Sequence, residues 1–260
     1  MLNLAPEIKL VKYNQLEVLE IEHPKVKAKI ALQGAHLFSW QPDHAAHDVL
    51  WLSDVEPFTA GNAIRGGVPI CYPWFGGIKQ PAHGYARNSV WDLLSHQVEQ
   101  DKVVLDFGLK QEAKITMELG ETCHITFTHL TNEQAQLALH SYFNIGDIAR
   151  VEVQNLPTDC FDSLTKTRQA VPSPRKIAEN VDCIYSAENH PTHFIDDEVF
   201  QRRIKIEHIN ASDVVLWNPW HKATSGMSEV GYKTMVCVET ARINRLLQQN
   251  EQVSVKISVK

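Results

Sequence analysis

The sequence has no apolar run approaching the roughly 20 residues that a membrane-spanning helix requires. Its opening stretch, MLNLAPEIKLVKYNQLEVLEIEH, also lacks an apolar segment of signal-peptide length. These two absences predict a protein that neither spans a membrane nor is exported. We therefore expect it to act in the cytoplasm.

Basic clusters and paired cysteines are also missing. Lys and Arg are scattered, and the formal net charge is −6, so the chain has no electrostatic footprint for nucleic acid. The five cysteines are odd in number and far apart, which favours reduced thiols over disulfides: Cys71, Cys123, Cys160, Cys183 and Cys237. A small molecule is the more natural ligand. A phosphate on it would need a local group of arginines.

Helical periodicity is nearly absent, and alternation of apolar and polar residues takes its place along the chain. It recurs in LEVLEI from Leu16, VVLDFGLK from Val103, TCHITFTHL from Thr122, RRIKIEHI from Arg202 and VSVKISV from Val253. Turn-rich segments separate these runs, and 260 residues suffice for one large core. We predict an all-β protein, a large antiparallel β-sandwich, formed by a single domain over residues 1–260.

The segment AIRGGVPICYPWFGGIKQPAHGYAR, residues 63–87, is the first candidate for a binding site. It places Arg65, His83 and Arg87 among glycines, prolines and aromatic residues. Two guanidinium groups and an imidazole suit an anionic, hydroxyl-rich ligand held against aromatic walls. The alternative is a glycine-rich bend that only covers one end of the sandwich.

Two further runs carry candidates for acid and base chemistry. In LALHSYFNIGDI, strand alternation places His140 on the same face as Tyr142. In KTMVCVETAR, Glu239 ends an apolar run, where a buried carboxyl would have a raised pKa suited to proton transfer. The alternatives are a core or interface histidine with one hydrogen bond, and a rim carboxylate paired with Arg242.

The remaining candidates would contact a ligand rather than transfer protons. Trp217 and Trp220 in WNPW could stack on sugar rings, with Asn218 bonding hydroxyls, or they could be ordinary core residues. Asp182 in NVDCIY could accept a hydroxyl hydrogen bond or could be a turn or cap residue. The histidine pairs at positions 44 and 47 and at 124 and 129 do not suit a metal, so we expect no metal site.

Eight blocks, taken in order, resemble one known family: GAHLFSW, WLSD, AIRGGVPICYPWFG, HGYARNSVW, LHSYFNIGDI, NVDCIY, VVLWNPW and MVCVE. This set is similar to the glucose-6-phosphate 1-epimerase (D-hexose-6-phosphate mutarotase) family of the aldose 1-epimerase, or galactose-mutarotase-like, superfamily. The match extends from about Gly34 to Glu239, which is most of the chain. Eight ordered blocks are far more specific than any one of them.

The resemblance implies a β-supersandwich fold and an isomerase that interconverts the α and β anomers of hexose 6-phosphates, without metal or other cofactor. It implies His140 and Glu239 as the catalytic residues. The substrate-binding residues that it implies, of which Gln80 lies in a connection of variable length, are Arg65, Gln80, His83, Arg87 and Asp182. We expect a monomer that binds a hexose phosphate and neither nucleic acid nor membrane.

One departure from the family and three alternatives stay open at this point. Between Trp220 and Glu239, where relatives often carry an aspartate-rich turn, the chain reads HKATSGMSEVGYKTM, and Glu229 could replace the aspartate. The protein could instead be a mutarotase for unphosphorylated aldoses such as galactose, or a sugar-phosphate-binding protein without catalysis. A glycosidase with paired carboxylates is disfavoured because the second group is an imidazole.

Overall fold

The computed structural model describes residues 3–260, and within them strands account for nearly all regular structure. The strands are β1 Ile8–Tyr13, β2 Leu16–His23, β3 Val26–Ala31, β4 His36–Pro42, β5 Ile70–Cys71, β6 Asp92–Val98, β7 Lys102–Leu109, β8 Ala113–Gly120, β9 Thr122–His129, β10 Ala135–Leu139, β11 Tyr142–Asn144, β12 Val151–Gln154, β13 Asp159–Asp162, β14 Thr167–Ala170, β15 Arg175–Lys176, β16 Val181–Ser186, β17 Thr192–Asp197, β18 Arg202–Ile209, β19 Asp213–Asn218, β20 Met235–Leu247 and β21 Gln252–Val259. Three short 3₁₀ helices lie at Ala86–Asn88, Ile148–Arg150 and Gly231–Thr234.

These strands form three sheets, and neighbouring strands in each sheet run antiparallel. A four-stranded sheet has the order β1-β2-β3-β4. An eight-stranded sheet has the order β14-β13-β16-β19-β20-β10-β5, with β11 also paired to β20. A nine-stranded sheet has the order β15-β12-β17-β18-β21-β9-β8-β7-β6. The predicted all-β antiparallel fold is confirmed.

Strand β8 illustrates why the alternating sequence folds this way. Ile115 and Met117 are buried in the core, whereas Lys114 and Glu118 are half-buried on the other face and form ion pairs with β7. Lys114 pairs with Asp106 at 3.1 Å. A period of two therefore sends apolar side chains to one face and charged side chains to the other.

One buried cluster, from Ile8 to Val259, takes apolar residues from all three sheets. The domain organisation itself stays a prediction. The five cysteines are all buried and free, as expected of reduced thiols. In residues 3–260, none of the helices has the length and apolar character needed to cross a membrane.

The eight-stranded sheet is the element that positions the site. One of its faces contributes Leu139 and Val238 to the main core. The other face carries a separate small apolar cluster, with Phe75, Ile184 and Ile243 packed against it, that consists of Cys71, Ala138, Val215 and Ala241. Because small side chains leave room above a sheet, this second face forms the floor of a cavity.

Candidate active site

A cavity of about 640 Å³ lies on this second face of the eight-stranded sheet. Its lining combines apolar residues of the floor with a set of titratable side chains. That set consists of Arg65, His83, Arg87, His140, Lys166, Asp182 and Glu239. Six of the seven site residues predicted from the sequence therefore share one cavity, with Gln80 as the exception.

His140 lies in a gap between two strands that both pair with β20. Strand β10 ends at Leu139 and β11 begins at Tyr142, so the predicted continuous strand is interrupted at His140. The His140 amide donates a hydrogen bond to the Pro69 carbonyl at 3.0 Å. Strand β20 runs unbroken past this gap, and Glu239 faces it, with its Oε1 at 3.2 Å from His140 Nε2.

Glu239 is a buried residue, not the rim residue that one interpretation of the sequence allowed. Only 1% of its surface is exposed, and Oε2 has no hydrogen-bond partner among the described residues. Arg242 does not pair with it. Instead, Arg242 bonds Glu251 at 2.8 Å and the carbonyls of Asn210 and Arg245, because alternation along β20 turns its side chain to the face opposite Glu239.

The surroundings shift the pKa values of both groups in opposite directions. Burial lowers the pKa of His140 well below its usual range, and the charges of His83, Arg87 and Arg65 lower it further. Burial raises the pKa of Glu239 well above its usual range, as does the charge of Asp182, while Arg87 opposes this rise. Both directions favour a neutral pair in which one proton lies between Nε2 and Oε1.

Aromatic rings surround the imidazole of His140. Tyr142 stacks on it with ring centroids 4.8 Å apart and an angle of 12° between the planes. Trp217 meets it edge-on at 5.9 Å and lines the cavity, in keeping with a sugar-stacking surface. Trp220 lies outside the lining and packs against Tyr232.

Asn218 between these tryptophans is a structural residue. Its amide nitrogen donates to the carbonyls of Tyr232 and Met235, each at 2.9 Å, and its oxygen accepts from the Trp220 amide. It is fully buried. The prediction that Asn218 bonds sugar hydroxyls is therefore wrong, because its amide nitrogen and oxygen already form hydrogen bonds with the protein backbone.

The segment of residues 63–87 supplies two cations, Arg65 and Arg87. Arg65 donates from Nε to the Ser225 carbonyl at 3.0 Å and from Nη1 to the Tyr142 hydroxyl at 2.9 Å. Arg87 donates from Nη2 to the Ala82 carbonyl at 2.8 Å, and its buried Nε has no partner among the described residues. Each guanidinium is thus anchored by the protein and keeps further donors for a ligand.

His83 completes this group. Its Nδ1 accepts a hydrogen bond from the Gly76 amide at 3.3 Å, and its ring lies edge-on to His140 with centroids 5.9 Å apart. Burial, together with the charges of Arg87 and Arg65, lowers the pKa of His83 to about 4. The imidazole is therefore neutral at neutral pH and suited to hydrogen bonding with a hydroxyl.

The two glycines of the IRGGVP block, Gly66 and Gly67, lie in close contact with neighbouring backbone. A Cβ at Gly66 would collide with the Trp51 carbonyl, and one at Gly67 with the Leu37 carbonyl and Phe38 Cα. Both have positive φ, 128° and 59°. These glycines let the segment pack closely against the backbone of residues 37–38 and 51–52, which places Arg65.

Asp182 lies on β16, directly across the ladder from Trp217 on β19, and lines the cavity. Burial raises its pKa, and a hydrogen bond from the Ser163 side chain opposes that rise. It is a strand residue, so the alternative of a turn or cap is wrong.

Gln80 and Glu229 are not brought to the cavity. Both are exposed, and neither belongs to the lining. Each lies in a loop. A loop has no repeating pattern of apolar residues from which its path could be predicted, whereas a strand has one. The role of Gln80 stays a prediction.

Several lining residues were missed by the sequence analysis. Gln136 shares the alternation of Ala138 and His140 on one strand face, so extending that face would have found it. Ser163 and Lys166 lie in the turn after β13, where no sequence signal marks them. In residues 3–260, no group of three or more His, Cys, Asp or Glu side chains is arranged to hold a metal ion.

The model of the aldose 1-epimerase family matches residues 17–260. This chain belongs to that family. The resemblance drawn from the eight blocks is confirmed, and with it the expectation of an isomerase.

Relatives of high similarity within the aldose 1-epimerase family cover nearly the whole chain. A Haemophilus influenzae protein, provisionally named a glucose-6-phosphate 1-epimerase, is 54% identical over 99% of this chain and 97% of its own. The crystal structure of the protein HI1317 superposes with a TM-score of 0.98 at 58% identity, covering 100% and 98% of the two chains. A Salmonella typhimurium protein, provisionally named a mutarotase (YeaD), has a TM-score of 0.93 at 34% identity, covering 100% and 95%.

Proposed function

We propose that this protein interconverts the α and β anomers of a hexose 6-phosphate, with D-glucose 6-phosphate as substrate. The observation that carries the proposal is the approach of His140 Nε2 to Glu239 Oε1, 3.2 Å apart, in a cavity that also contains Arg65 and Arg87. An acid, a base and two permanent cations are what anomer exchange on a phosphorylated sugar requires. The names of the bacterial relatives point to the same reaction.

Anomer exchange opens the hemiacetal ring, rotates the C1–C2 bond and closes the ring on the other face of the carbonyl. One proton leaves O1 while another reaches the ring oxygen O5. We assign Glu239 as the base at O1 and His140 as the acid at O5, with the roles reversed on closure. Because O1 and O5 are bonded to the same carbon, two groups in hydrogen-bond contact with each other can reach both oxygens.

The shared proton reconciles these roles with the shifted pKa values. In the neutral pair the proton belongs to the Glu239 carboxyl, and its transfer to His140 Nε2 creates the carboxylate base and the imidazolium acid together. This transfer leaves the net charge of the cavity unchanged. The low dielectric of a buried site therefore does not oppose it as strongly as it opposes a single new charge.

Arg65 and Arg87 bind the phosphate, because a guanidinium offers a planar fork of donors and stays charged at every working pH. His83 bonds a hydroxyl or the ring, and Asp182 accepts a hydrogen bond from a hydroxyl. Trp217 provides a face for the apolar side of the pyranose. We further propose that the protein works as a monomer in the cytoplasm without a cofactor.

Exchange spectroscopy by NMR on a panel of phosphorylated and free aldoses tests the proposal. We expect the protein to accelerate anomer exchange of glucose 6-phosphate with a higher kcat/KM than that of glucose or galactose. Faster exchange of galactose would identify a mutarotase for free sugars. Binding of glucose 6-phosphate without any acceleration would identify a sugar-phosphate-binding protein, and either result would overturn the proposal.

A further inference from the structure

Tyr142 contacts both halves of the candidate site at once. Its hydroxyl accepts a hydrogen bond from Arg65 Nη1 at 2.9 Å. Its ring stacks on the imidazole of His140, with centroids 4.8 Å apart and 12° between the planes. One side chain, only 2% exposed as a residue, therefore lies between the proposed phosphate-binding cation and the proposed catalytic acid.

The ring of Tyr142 is itself held from behind and from the side. Trp51 stacks on it, with ring centroids 5.8 Å apart and an angle of 18° between the planes. Trp51 in turn donates a hydrogen bond from Nε1 to the Thr234 hydroxyl at 3.0 Å. Trp217 packs edge-on against it at 5.9 Å. The Tyr142 amide donates to the Gly67 carbonyl at 2.9 Å. Tyr142 thus has little freedom to turn, and a ring stacked on it shares that restriction.

His140 lacks the polar support that usually orients a catalytic imidazole. A reactive histidine normally holds its ring and tautomer through a hydrogen bond at the second nitrogen. Here Nδ1 is buried and makes no side-chain hydrogen bond to any partner in residues 3–260. The polar contact of the ring is that of Nε2 with Glu239. Among its aromatic contacts, the stack on Tyr142 has the shortest distance between ring centroids. Ring packing therefore takes the place of the missing hydrogen bond.

The hydroxyl of Tyr142 restricts the orientation of Arg65, just as the ring of Tyr142 restricts the orientation of His140. Arg65 donates a hydrogen bond from Nε to the carbonyl of Ser225, a residue of an exposed loop. It donates a second one from Nη1 to the hydroxyl of Tyr142, which is buried in the core. Nη2 makes no hydrogen bond within the described part of the chain. The hydroxyl thereby sets the plane of the guanidinium, and with it the direction of the donors that a phosphate meets.

We propose that Tyr142 is a positioning residue with two separable actions: its ring orients His140 for proton transfer, and its hydroxyl orients Arg65 for the substrate phosphate. The proposal rests on the proposed function, since it names the phosphate as the ligand of Arg65.

Two substitutions separate the actions. Tyr142→Phe keeps the ring and removes the hydroxyl, so the KM for glucose 6-phosphate should rise about tenfold, as expected when a hydrogen bond to a charged group is lost. Its kcat, and its kinetics with free glucose, should stay unchanged. Tyr142→Met fills a similar volume without a flat ring, so kcat should fall at least about tenfold on both sugars. Tyr232→Phe, a buried tyrosine outside the cavity lining, is the matched control and should change neither constant.

The double variant Arg65→Ala/Tyr142→Phe tests whether the hydroxyl acts through Arg65. Its KM for glucose 6-phosphate should equal that of Arg65→Ala alone, because residues that act through one contact are not additive. Additive effects, or a Tyr142→Phe variant that is impaired equally on both sugars, would overturn the proposal. So would a Tyr142→Phe variant with wild-type KM.

Two measurements without turnover keep this proposal distinct from the proposed function. Titration with inorganic phosphate, followed by ³¹P NMR, should show weaker binding to Tyr142→Phe than to the wild type. The ¹H and ¹³C chemical shifts of the His140 ring should show one ring orientation in the wild type and in Tyr142→Phe, and averaging over several orientations in Tyr142→Met. A wild type without anomer exchange would refute the proposed function, whereas unchanged phosphate binding and ring orientation in the variants would refute the positioning role. Thermal unfolding of each variant shows that it is folded.

Discussion

His140 Nε2 lies 3.2 Å from Glu239 Oε1 across the gap between β10 and β11. Within the gap, the Val238 amide of β20 still donates a hydrogen bond to the Ser141 carbonyl at 3.3 Å. The register is the same on both sides, because Leu139 lies opposite Thr240 and Tyr142 lies opposite Cys237. This register places His140 opposite Glu239, with both side chains on the cavity face of the sheet, and the proposed chemistry depends on it.

Removing either member of this pair should abolish most of the activity. His140→Ala and Glu239→Ala should each lower the rate of anomer exchange at least about a hundredfold, because a positioned acid or base contributes about that factor. Exchange spectroscopy with glucose 6-phosphate measures the loss. Glu229→Ala, an exposed carboxylate outside the cavity lining, is the control and should retain the wild-type rate. Near-normal exchange in either cavity variant would refute the assignment.

The two arginines should discriminate between phosphorylated and free sugar. Arg65→Ala and Arg87→Ala should each raise the KM for glucose 6-phosphate by about tenfold or more, since charge-assisted hydrogen bonds to the phosphate are lost. The KM for free glucose should change far less. Arg168→Ala, an exposed arginine paired with Asp159, should affect neither sugar. Equal effects on the two sugars would show that the phosphate does not meet these side chains.

The pKa of Glu239 should respond to its two charged neighbours with opposite signs. A nearby negative charge favours the protonated carboxyl, so Asp182→Asn should lower the pKa of Glu239. A nearby positive charge favours the carboxylate, so Arg87→Gln should raise it. Titration of the ¹³C carboxyl signal of Glu239 measures both shifts, and Asp159→Asn is an exposed control on the same sheet. Shifts of the same sign in the two variants would contradict the described geometry.

The pH profile of the reaction should follow from the same pair. At low pH His140 takes up a second proton, and activity should be lost. Because the pKa of His140 is lowered, this loss should occur at a pH below the usual pKa range of histidine. At high pH the pair loses its shared proton, and because the pKa of Glu239 is raised this loss should occur above the usual range of glutamate. The kcat profile of Asp182→Asn should therefore have its alkaline limb at lower pH than the wild type. If the alkaline limb of this variant lay at the same pH as in the wild type, the limb would report the titration of a group other than Glu239.

The close packing of the Arg65 segment predicts a large difference between two nearby glycines. Gly66→Ala places a Cβ against the backbone of Trp51 and Leu52 at a φ of 128°, whereas Gly61→Ala, at a φ of 78°, meets nothing within 4 Å. The free energy of unfolding should fall by about 3 kcal/mol or more for Gly66→Ala and by about 1 kcal/mol for Gly61→Ala. Urea denaturation measures both. Equal losses would show that the segment does not need this backbone conformation.

Local sequence was sufficient for the fold class and for most of the site. Alternation such as that of Ile115, Met117 and their charged neighbours predicts half-buried antiparallel strands, and the structure has them. The ordered blocks marked His140 and Glu239 before any geometry was available. Gln136 could have been added by extending the same strand face, because alternation is a property of consecutive residues.

Other features were decided by residues far away in the chain. The sequence could not distinguish a buried Glu239 from a rim residue paired with Arg242, because the choice depends on where β20 meets its neighbours. It also could not show that Gln80 stays outside the cavity, or that Arg65 bonds Tyr142. Loop paths and side-chain partners of this kind have no sequence period.

The amino-acid sequence by itself determined that this chain forms antiparallel strands and which residue types could perform the chemistry. Only the tertiary structure decided that His140 and Glu239 share a gap in one sheet and that burial shifts their pKa values in opposite directions. The physical reason is that alternation acts between adjacent residues. Desolvation and proton sharing, in contrast, arise only when distant strands close over the same space.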